Sequence, residues 1–489
     1  MVSRKYVTVI GLEVHVQLKT NSKLFCPCSS DYIGAKPNSN VCPVCLGLPG
    51  TLPVLNKKAV ELALKMSCAI GGNIQKESRF HRKNYFYPDL PKAYQISQYD
   101  RPISFGGKIP IRTADGKKFI GITRLHLEED AGKLVHATSD GRLHGFSSSY
   151  VDYNRAGVPL IEIVSEPQIS TPEEAKEYVL ALRKLVRYLG VSDGDMESGS
   201  MRVDANISMN EEGQPLGVKV EVKNMNSLRA LQRALEYEQK RQMEILSSGG
   251  VIIQETRHWD DVRGITVSSR SKEEAHDYRY FPDPDLPLLV VSEDLIEKMA
   301  KSIPELPWEK KERYLFEFSM SEEEAEILTS QRELAQYFEE VLASGAPVKP
   351  LVNWMKTEVI RSNKEGKFDF NNPEINPQAL AKLVKFLDEG KISNTAAKDV
   401  WLVMLDNKVG LEEAMEKAGV TLGGLSAEKL ESIVSKVLDQ NQDVVKEILE
   451  GKDTKGKKIK FLMGLVMRET RGQAKPQNVE EMLRSKLHG

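Results

Sequence analysis

Glu13 and His15 stand two residues apart in GLEVHVQLKT, where Leu12, Val14, Val16 and Leu18 alternate with Glu13, His15 and Gln17. In a strand this period puts both polar groups on one face, about 7 Å apart, close enough to aim at one ion or ligand. Glu162 lies inside the apolar run Leu160–Ile161–Glu162–Ile163–Val164. Burying an unpaired carboxylate costs on the order of several kcal/mol, so this one needs a cation, a metal or a raised pKa. Glu128, Glu129 and Asp130 follow one another in LHLEEDAGK. Adjacent carboxylates repel, and such a cluster suits a hard cation such as Mg²⁺, an acidic surface turn being the plain alternative.

A second chemistry is written in FCPCSSDYIGAKPNSNVCPVCLGLPG, where Cys26, Cys28, Cys42 and Cys45 make a C-x-C and a C-x-x-C pair among Gly and Pro turns. Short paired spacings let two knuckles meet around one tetrahedral Zn²⁺, and four protein thiolates leave no position for an activated water, so the expected site is structural. The fifth cysteine, Cys68, falls in the helical pattern KKAVELALKMSCAIGG and reads as a buried core residue. All five cysteines lie between positions 26 and 68, which is not the spread of a secreted disulfide scaffold.

The positioning elements are mainly strands. MRVDANISM sets Arg202, Asp204, Asn206 and Ser208 opposite Val203, Ala205, Ile207 and Met209, and GVKVEVKN sets Lys219, Glu221 and Lys223 opposite Val218, Val220 and Val222. One such strand is explained by an antiparallel sheet with a solvated face. Several, carrying short groups such as Asp, Asn and His, predict a polar cradle. TPEEAKEYVLALRKLVRYLG reads as a helix with Thr171 as N-cap, Pro172 at the first position, Glu174 completing a capping box and Gly190 as the stop. Its stripe of Ala175, Tyr178, Val179, Leu182, Leu185, Val186 and Leu189 is core. SEEEAEILTSQRELAQYFEEVLASG predicts further helix from a cap at Ser321 to a stop at Gly345. The expected class is α+β: an N-terminal mixed or antiparallel cradle over residues 1–293 with a zinc knuckle at 26–45, an all-α domain over 294–406, and a small helical tail over 407–489.

With 489 residues, 68 Lys and Arg against 70 Asp and Glu, and 40% hydrophobic residues, the chain is an ordinary globular protein of about three domains, neither a basic nucleic-acid coat nor a polyacidic tail protein. A local basic patch remains open, and residues 451–489 hold ten Lys or Arg against four Asp or Glu, a balance of +6. No apolar run approaches the roughly 18 residues of a bilayer span, and Glu13 and His15 interrupt any signal-peptide core, so a cytoplasmic protein is expected. The stretch from Gly451 to Lys458 imitates a phosphate-binding loop but has Lys where Ser or Thr should meet Mg²⁺ and no strand before it.

Six segments together resemble one family: VIGLEVHVQLKT, FHRKNYFYPDLPKAYQISQYD, RLHLEEDAGK, VDYNRAGVPLIEIVSEP, EVKNMNSLRALQRALEYE and DYRYFPDPDLP. They are similar to the B subunits of the tRNA-dependent amidotransferases, and the end, GLVMRETRGQAKPQNVEEMLRSKL, resembles the YqeY-like tail of that family. The resemblance implies a carbon–nitrogen ligase subunit. Glu on tRNA(Gln) or Asp on tRNA(Asn) is activated with ATP as an acyl phosphate, and ammonia from the amidase subunit GatA displaces phosphate, with GatC strapping the complex together. It further implies that Glu13, His15 and Glu129 hold Mg²⁺, with Glu128 and Glu162 as second candidates. Lys83 and Tyr85 would stand near the ammonia exit, where a Lys–Glu relay takes a proton from ammonium. Asp204, Asn206, Lys223, Asn224 and Arg279 would line the pocket for ATP and the aminoacyl end. Lys457, Lys458, Lys460, Arg468, Arg471 and Lys475 could grip tRNA phosphates. The competing expectations are a noncatalytic tRNA-binding zinc scaffold within the same complex, and a free-standing metal-dependent hydrolase.

Overall fold

Strand β1, Tyr6–Gln17, is rich in β-branched residues and alternates cleanly: Ile10, Leu12, Val14 and Val16 are buried in the core while Glu13 and His15 turn to the opposite face. The structure is a computed structural model that describes residues 6–136, 149–269, 278–422, 427–450, 452, 456–470, 474 and 476–488. Further strands that matter for the site are β2 (Phe80–Asn84), β3 (Tyr94–Gln98), β4 (Gly116–Glu129), β5 (Pro159–Ser165), β6 (Met201–Glu211) and β7 (Val220–Lys223).

Ten strands make one sheet in the order Ile265–Ser268, Thr256–Asp260, β7, β6, β1, β5, β4, Ser104–Phe105, Asn73–Ile74, with Lys108–Thr113 also paired to β4. β7 runs parallel to Thr256–Asp260, and the other neighbours are antiparallel, so the sheet is mixed. Helices α1 (Lys57–Ala69), α2 (Pro172–Tyr188) and α3 (Leu228–Ser247) share a single buried cluster with β1, in which Leu12, Val14 and Val16 meet Leu62, Tyr178, Leu182 and Leu231. The seven residues expected to form the apolar stripe of α2 are all buried. Thr171 caps that helix by accepting from Glu174 N at 3.1 Å, but the return bond of the box is shifted: the Glu174 carboxylate accepts from Ser170 N at 2.8 Å instead of from the cap residue. β2 and β3 form a smaller sheet with Phe281–Pro282, and it is tied to the end of β4 where Leu127 N donates to Gln98 Oε1 at 2.9 Å.

The chain divides into two compact units, Met1–Lys310 and Lys311–Gly489. The second is helical among the described residues and holds two separate apolar clusters, one from Tyr314 to Val420 and one from Leu430 to Leu487. Ser321 forms a full capping box with Glu324, and Gly345 takes a φ of 93° beyond the end of the segment. Between them, however, stand two helices, Glu322–Leu328 and Arg332–Ala343. The hydroxyls of Thr329 and Ser330 donate back to Ala325 O and Ile327 O at 2.8 and 2.7 Å, the competition with the backbone that ends a helix at such residues. The α+β class, with a mixed sheet first and helices after, is therefore the observed one. No helix among the described residues is long and apolar enough to cross a membrane.

Leu182 is wholly buried where α2 meets the sheet. Leu182→Ala is expected to cost about 3 kcal/mol, within the range for such truncations. The check is a lowered urea midpoint for hydrogen-exchange protection across β1 and β5.

Candidate functional site

Register builds the site. Across four adjacent strands one row reads Arg202, His15, Glu162 and His126, and the neighbouring row of β6 and β1 pairs Asp204 with Glu13. Glu128 lies two residues beyond His126 on β4 and so projects from the same face. His15 Nε2 comes to 3.2 Å from Glu162 Oε2 and 3.5 Å from Glu128 Oε1, and the ligand atoms of these three residues all lie within 4.8 Å of one another. Both carboxylates are almost fully buried, at 2% and 7% exposure. Ser97 of β3 adds a hydroxyl that donates to Glu128 Oε2 at 3.2 Å.

Charge sets the protonation states. Burial opposes ionisation of Glu162, but the imidazoles of His126 and His15 outweigh it and hold this carboxyl well below the usual range. Burial likewise pushes His15 down, yet its hydrogen bond to Glu162, the Glu162 charge and the Glu128 charge lift it to about 9. Lys83 of β2 is half-buried, and the Glu128 charge keeps it protonated against that desolvation. Its ammonium lies 4.8 Å from the Tyr278 ring centroid and 5.7 Å from that of Tyr85. A lysine held in its charged form does not take a proton from ammonium, so the relay expected from the sequence needs a carboxylate as acceptor.

Glu13 belongs to the adjoining cluster: it accepts from Asn206 Nδ2 at 3.0 Å, and burial followed by the Glu162 charge raises its pKa. Lys223 bridges Asp204 at 2.8 Å and Glu221 at 2.9 Å. The adjacent Asn224 has a φ of 69° and donates to Trp259 O at 3.1 Å. Arg279 is exposed, has a φ of 44°, and its carbonyl accepts from Asn84 Nδ2 at 2.8 Å.

Glu129 does not join the cluster, because the residue next to Glu128 on a strand points away from it. Its carboxylate receives Lys92 Nζ at 2.5 Å and Ile96 N at 2.9 Å. Asp130, just past the strand end, returns to the cradle side and binds Arg202 Nη2 and Gln17 Nε2, each at 2.8 Å. Sequence reasoning gave no site role to Lys92 or His126, placed Arg202 only on the polar face of its strand, and did not separate Asp130 from its acidic neighbours. His126 was legible from its i−2 spacing to Glu128.

The thiols of Cys26, Cys28, Cys42 and Cys45 also lie within 4.8 Å of one another, so the residues present fit a tetrahedral Zn²⁺. The Cys45 thiol is drawn down to about 4, first by donation from the Cys26 thiol, and the fully buried Lys23 approaches it with Nζ at 3.7 Å from Sγ. Gly47 closes the second knuckle with a φ of 67°, and a Cβ there would fall 2.4 Å from Lys92 Cγ and 3.2 Å from Lys92 Cα. The knuckle thus braces the lysine that holds Glu129. A cavity of about 130 Å³ between them is lined by Lys23, Phe25, Cys26, Lys92 and Glu129.

With this geometry in view, the comparisons with known proteins are decisive. Residues 8–297 match the GatB/GatE catalytic domain, and residues 336–487 match the GatB domain with its YqeY-type region. A protein of Carboxydothermus hydrogenoformans, named as the B subunit of an aspartyl/glutamyl-tRNA(Asn/Gln) amidotransferase, is 49% identical over 99% of both chains. Proteins of the same name from Thermodesulfovibrio yellowstonii and Brevibacillus brevis are 48% and 46% identical, covering 98% and 99% of each chain. The chain belongs to this amidotransferase B-subunit family.

In the second unit, Lys457, Lys460 and Arg468 project from Lys457–Glu469 as an exposed face opposite the buried Ile459, Leu462 and Val466. Lys458 is half-buried and paired with Glu447, and Arg471 and Lys475 lie outside the described residues.

Metal analysis of the purified protein is expected to find about one Zn²⁺ per chain. Cys45→Ser should lower that content at least tenfold and loosen the knuckle, read as faster amide exchange over residues 40–48.

Proposed function

We propose that this chain acts as the B subunit of an aspartyl/glutamyl-tRNA(Asn/Gln) amidotransferase, converting Glu on tRNA(Gln) or Asp on tRNA(Asn) to the amide. The observation that carries the reading is the convergence of His15, Glu128 and Glu162, with Lys83 beside them, on one face of the sheet. The side-chain carboxylate of the aminoacyl group takes the γ-phosphoryl group of ATP, ADP leaves, and ammonia then displaces phosphate to form the amide. Those reactants are anions, so the site must supply positive charge in a place with little water.

His15, Glu128 and Glu162 are the residues that would hold Mg²⁺. When bound, that ion offsets the charge of the phosphoryl group and carboxylate. Lys83 adds a fixed positive charge, and the Asp130 carboxylate anchors Arg202 in the row next to His15. The pair Asp204–Lys223 and the Glu13–Asn206 contact are our candidates for seating the nucleotide and the aminoacyl end, with Asn224 and Arg279 at their margin.

Ammonia must arrive uncharged to attack. The Lys83 ammonium, beside the rings of Tyr85 and Tyr278, repels ammonium and admits neutral ammonia. The amidase subunit GatA would supply that ammonia through a channel, and GatC would hold the two chains together. The exposed basic face of Lys457, Lys460 and Arg468 suits the phosphates of a tRNA body, where contact follows shape instead of base sequence.

Purified complex given mischarged tRNA, ATP and ammonium chloride in place of glutamine should form amide. Glu128→Gln is expected to lower that rate at least a hundredfold, about 2.7 kcal/mol of barrier, while glutamine hydrolysis stays intact. Amide formation at the parent rate in this variant would favour the noncatalytic scaffold instead. Separately, a triple change of Lys457, Lys460 and Arg468 to Ala should weaken tRNA binding and flatten the slope of log K against log salt by about two to three, measured by filter binding.

A further inference from the structure

His126 is unused by the function just described, and its surroundings are unusual. It is 2% exposed and is the direct cross-strand partner of Glu162. Its Nε2 lies 3.6 Å from Glu162 Oε2 and 3.8 Å from Glu128 Oε2, so one ring nitrogen faces both carboxylates. Its Nδ1 is buried and has no hydrogen-bond partner among the described residues. His15 differs, since its side chain is 19% exposed where that of His126 is 3% exposed.

We propose that His126 is a positioning residue whose Nε2–H faces the oxygens of Glu128 and Glu162, beyond hydrogen-bond length but close enough to draw both, and so holds the two carboxylates at the spacing a divalent cation needs. This rests on the reading of His15, Glu128 and Glu162 as a cation cradle. A bare Nε2 lone pair aimed at two anionic oxygens would repel both, so the ring presents its N–H to them.

The division of labour between the two imidazoles follows as well. A cation among His15, Glu128 and Glu162 would take the Nε2 side of His15, so that ring would serve as a ligand. His126, closed to solvent, keeps its Nε2 edge turned to the same oxygens. It limits the mutual repulsion of two buried carboxylates in the empty state and orients them in the loaded one, as groups behind metal ligands commonly do.

The test uses Mn²⁺ as the probe, titrated into the full-length chain and followed by the electron paramagnetic resonance signal of the free ion. His126→Leu is expected to weaken Mn²⁺ binding 10- to 100-fold, while His126→Gln, whose amide nitrogen can donate from the Nε2 position, stays within about threefold of the parent. Thermal melting of each variant checks the fold, and His126→Asn, whose shorter amide does not reach, replaces Leu if that variant fails to fold. Parent-like affinity in a folded Leu or Asn variant would overturn the proposal. So would equal weakening in Gln and Leu, or in Gln and Asn, because the N–H would then not be the role. A parent chain that binds no Mn²⁺ would overturn the cradle reading together with this one, whereas the first two results leave that reading standing.

Discussion

Two buried carboxylates on neighbouring strands are the constraint around which the N-terminal unit is arranged. Glu128 and Glu162 lie diagonally across β4 and β5 with almost no access to water, and neither could stay ionised there alone. Three strands supply compensating groups: β1 brings His15, β4 itself brings His126, and β2 of the smaller sheet brings Lys83. The compensation is specific to this face, since the same strands bury Leu12, Val14, Ile161 and Ile163 in the apolar core. A change in register by one residue on β1 or β5 would exchange the two sets and leave charges inside the helix-packed layer.

That dependence explains why the cradle groups sit on sheet strands and the four-cysteine knuckle sits beside them. Strand positions are fixed by ladders on both sides, so the oxygens of Glu128 and Glu162 are preorganised without a ligand. The residues from Leu18 to Asn56 have no such ladder beyond an isolated bridge, and four convergent thiols provide an alternative restraint. The restraint touches the neighbouring elements where Gly47 lies against Lys92, which pairs with Glu129, and where Tyr32 accepts from Gln17 of β1. An alanine at position 47 would need both a positive φ and the space that Lys92 occupies.

Much of this was legible in the sequence where a period of two or a cap decides the structure. The faces of β1 and β6, the apolar stripe of α2 and the four-cysteine cluster all follow from spacing alone. The run Glu128–Glu129–Asp130 shows what spacing does not reveal. Read as text, it is an acidic cluster; in the sheet its three members diverge, to the cation cluster, to Lys92 and Ile96 N, and to Arg202 with Gln17. Their separate partners come from positions 17, 92, 96 and 202, and no local pattern encodes such long-range pairings. The break at Thr329 and Ser330 is different, because the hydroxyls that end the helix are visible in the sequence but compete with an apolar period that runs on past them.

The same divergence bears on how one short segment can serve two chemical demands. Glu128 must remain anionic among cationic groups, while Glu129 must hold a lysine beside the knuckle. If both faced the cradle, their repulsion would raise at least one pKa and neutralise it, as burial and the Glu162 charge already begin to do to Glu13. Alternation along β4 removes that conflict at no cost in length: the two groups are adjacent in the chain but electrostatically separated by the backbone. Asp130 then uses the next position to fix Arg202 in the row of His15. Three consecutive acids can therefore be buried together only because each has its own cation or donor, and it is this assignment of partners, not the acidity of the run, that makes the segment a site.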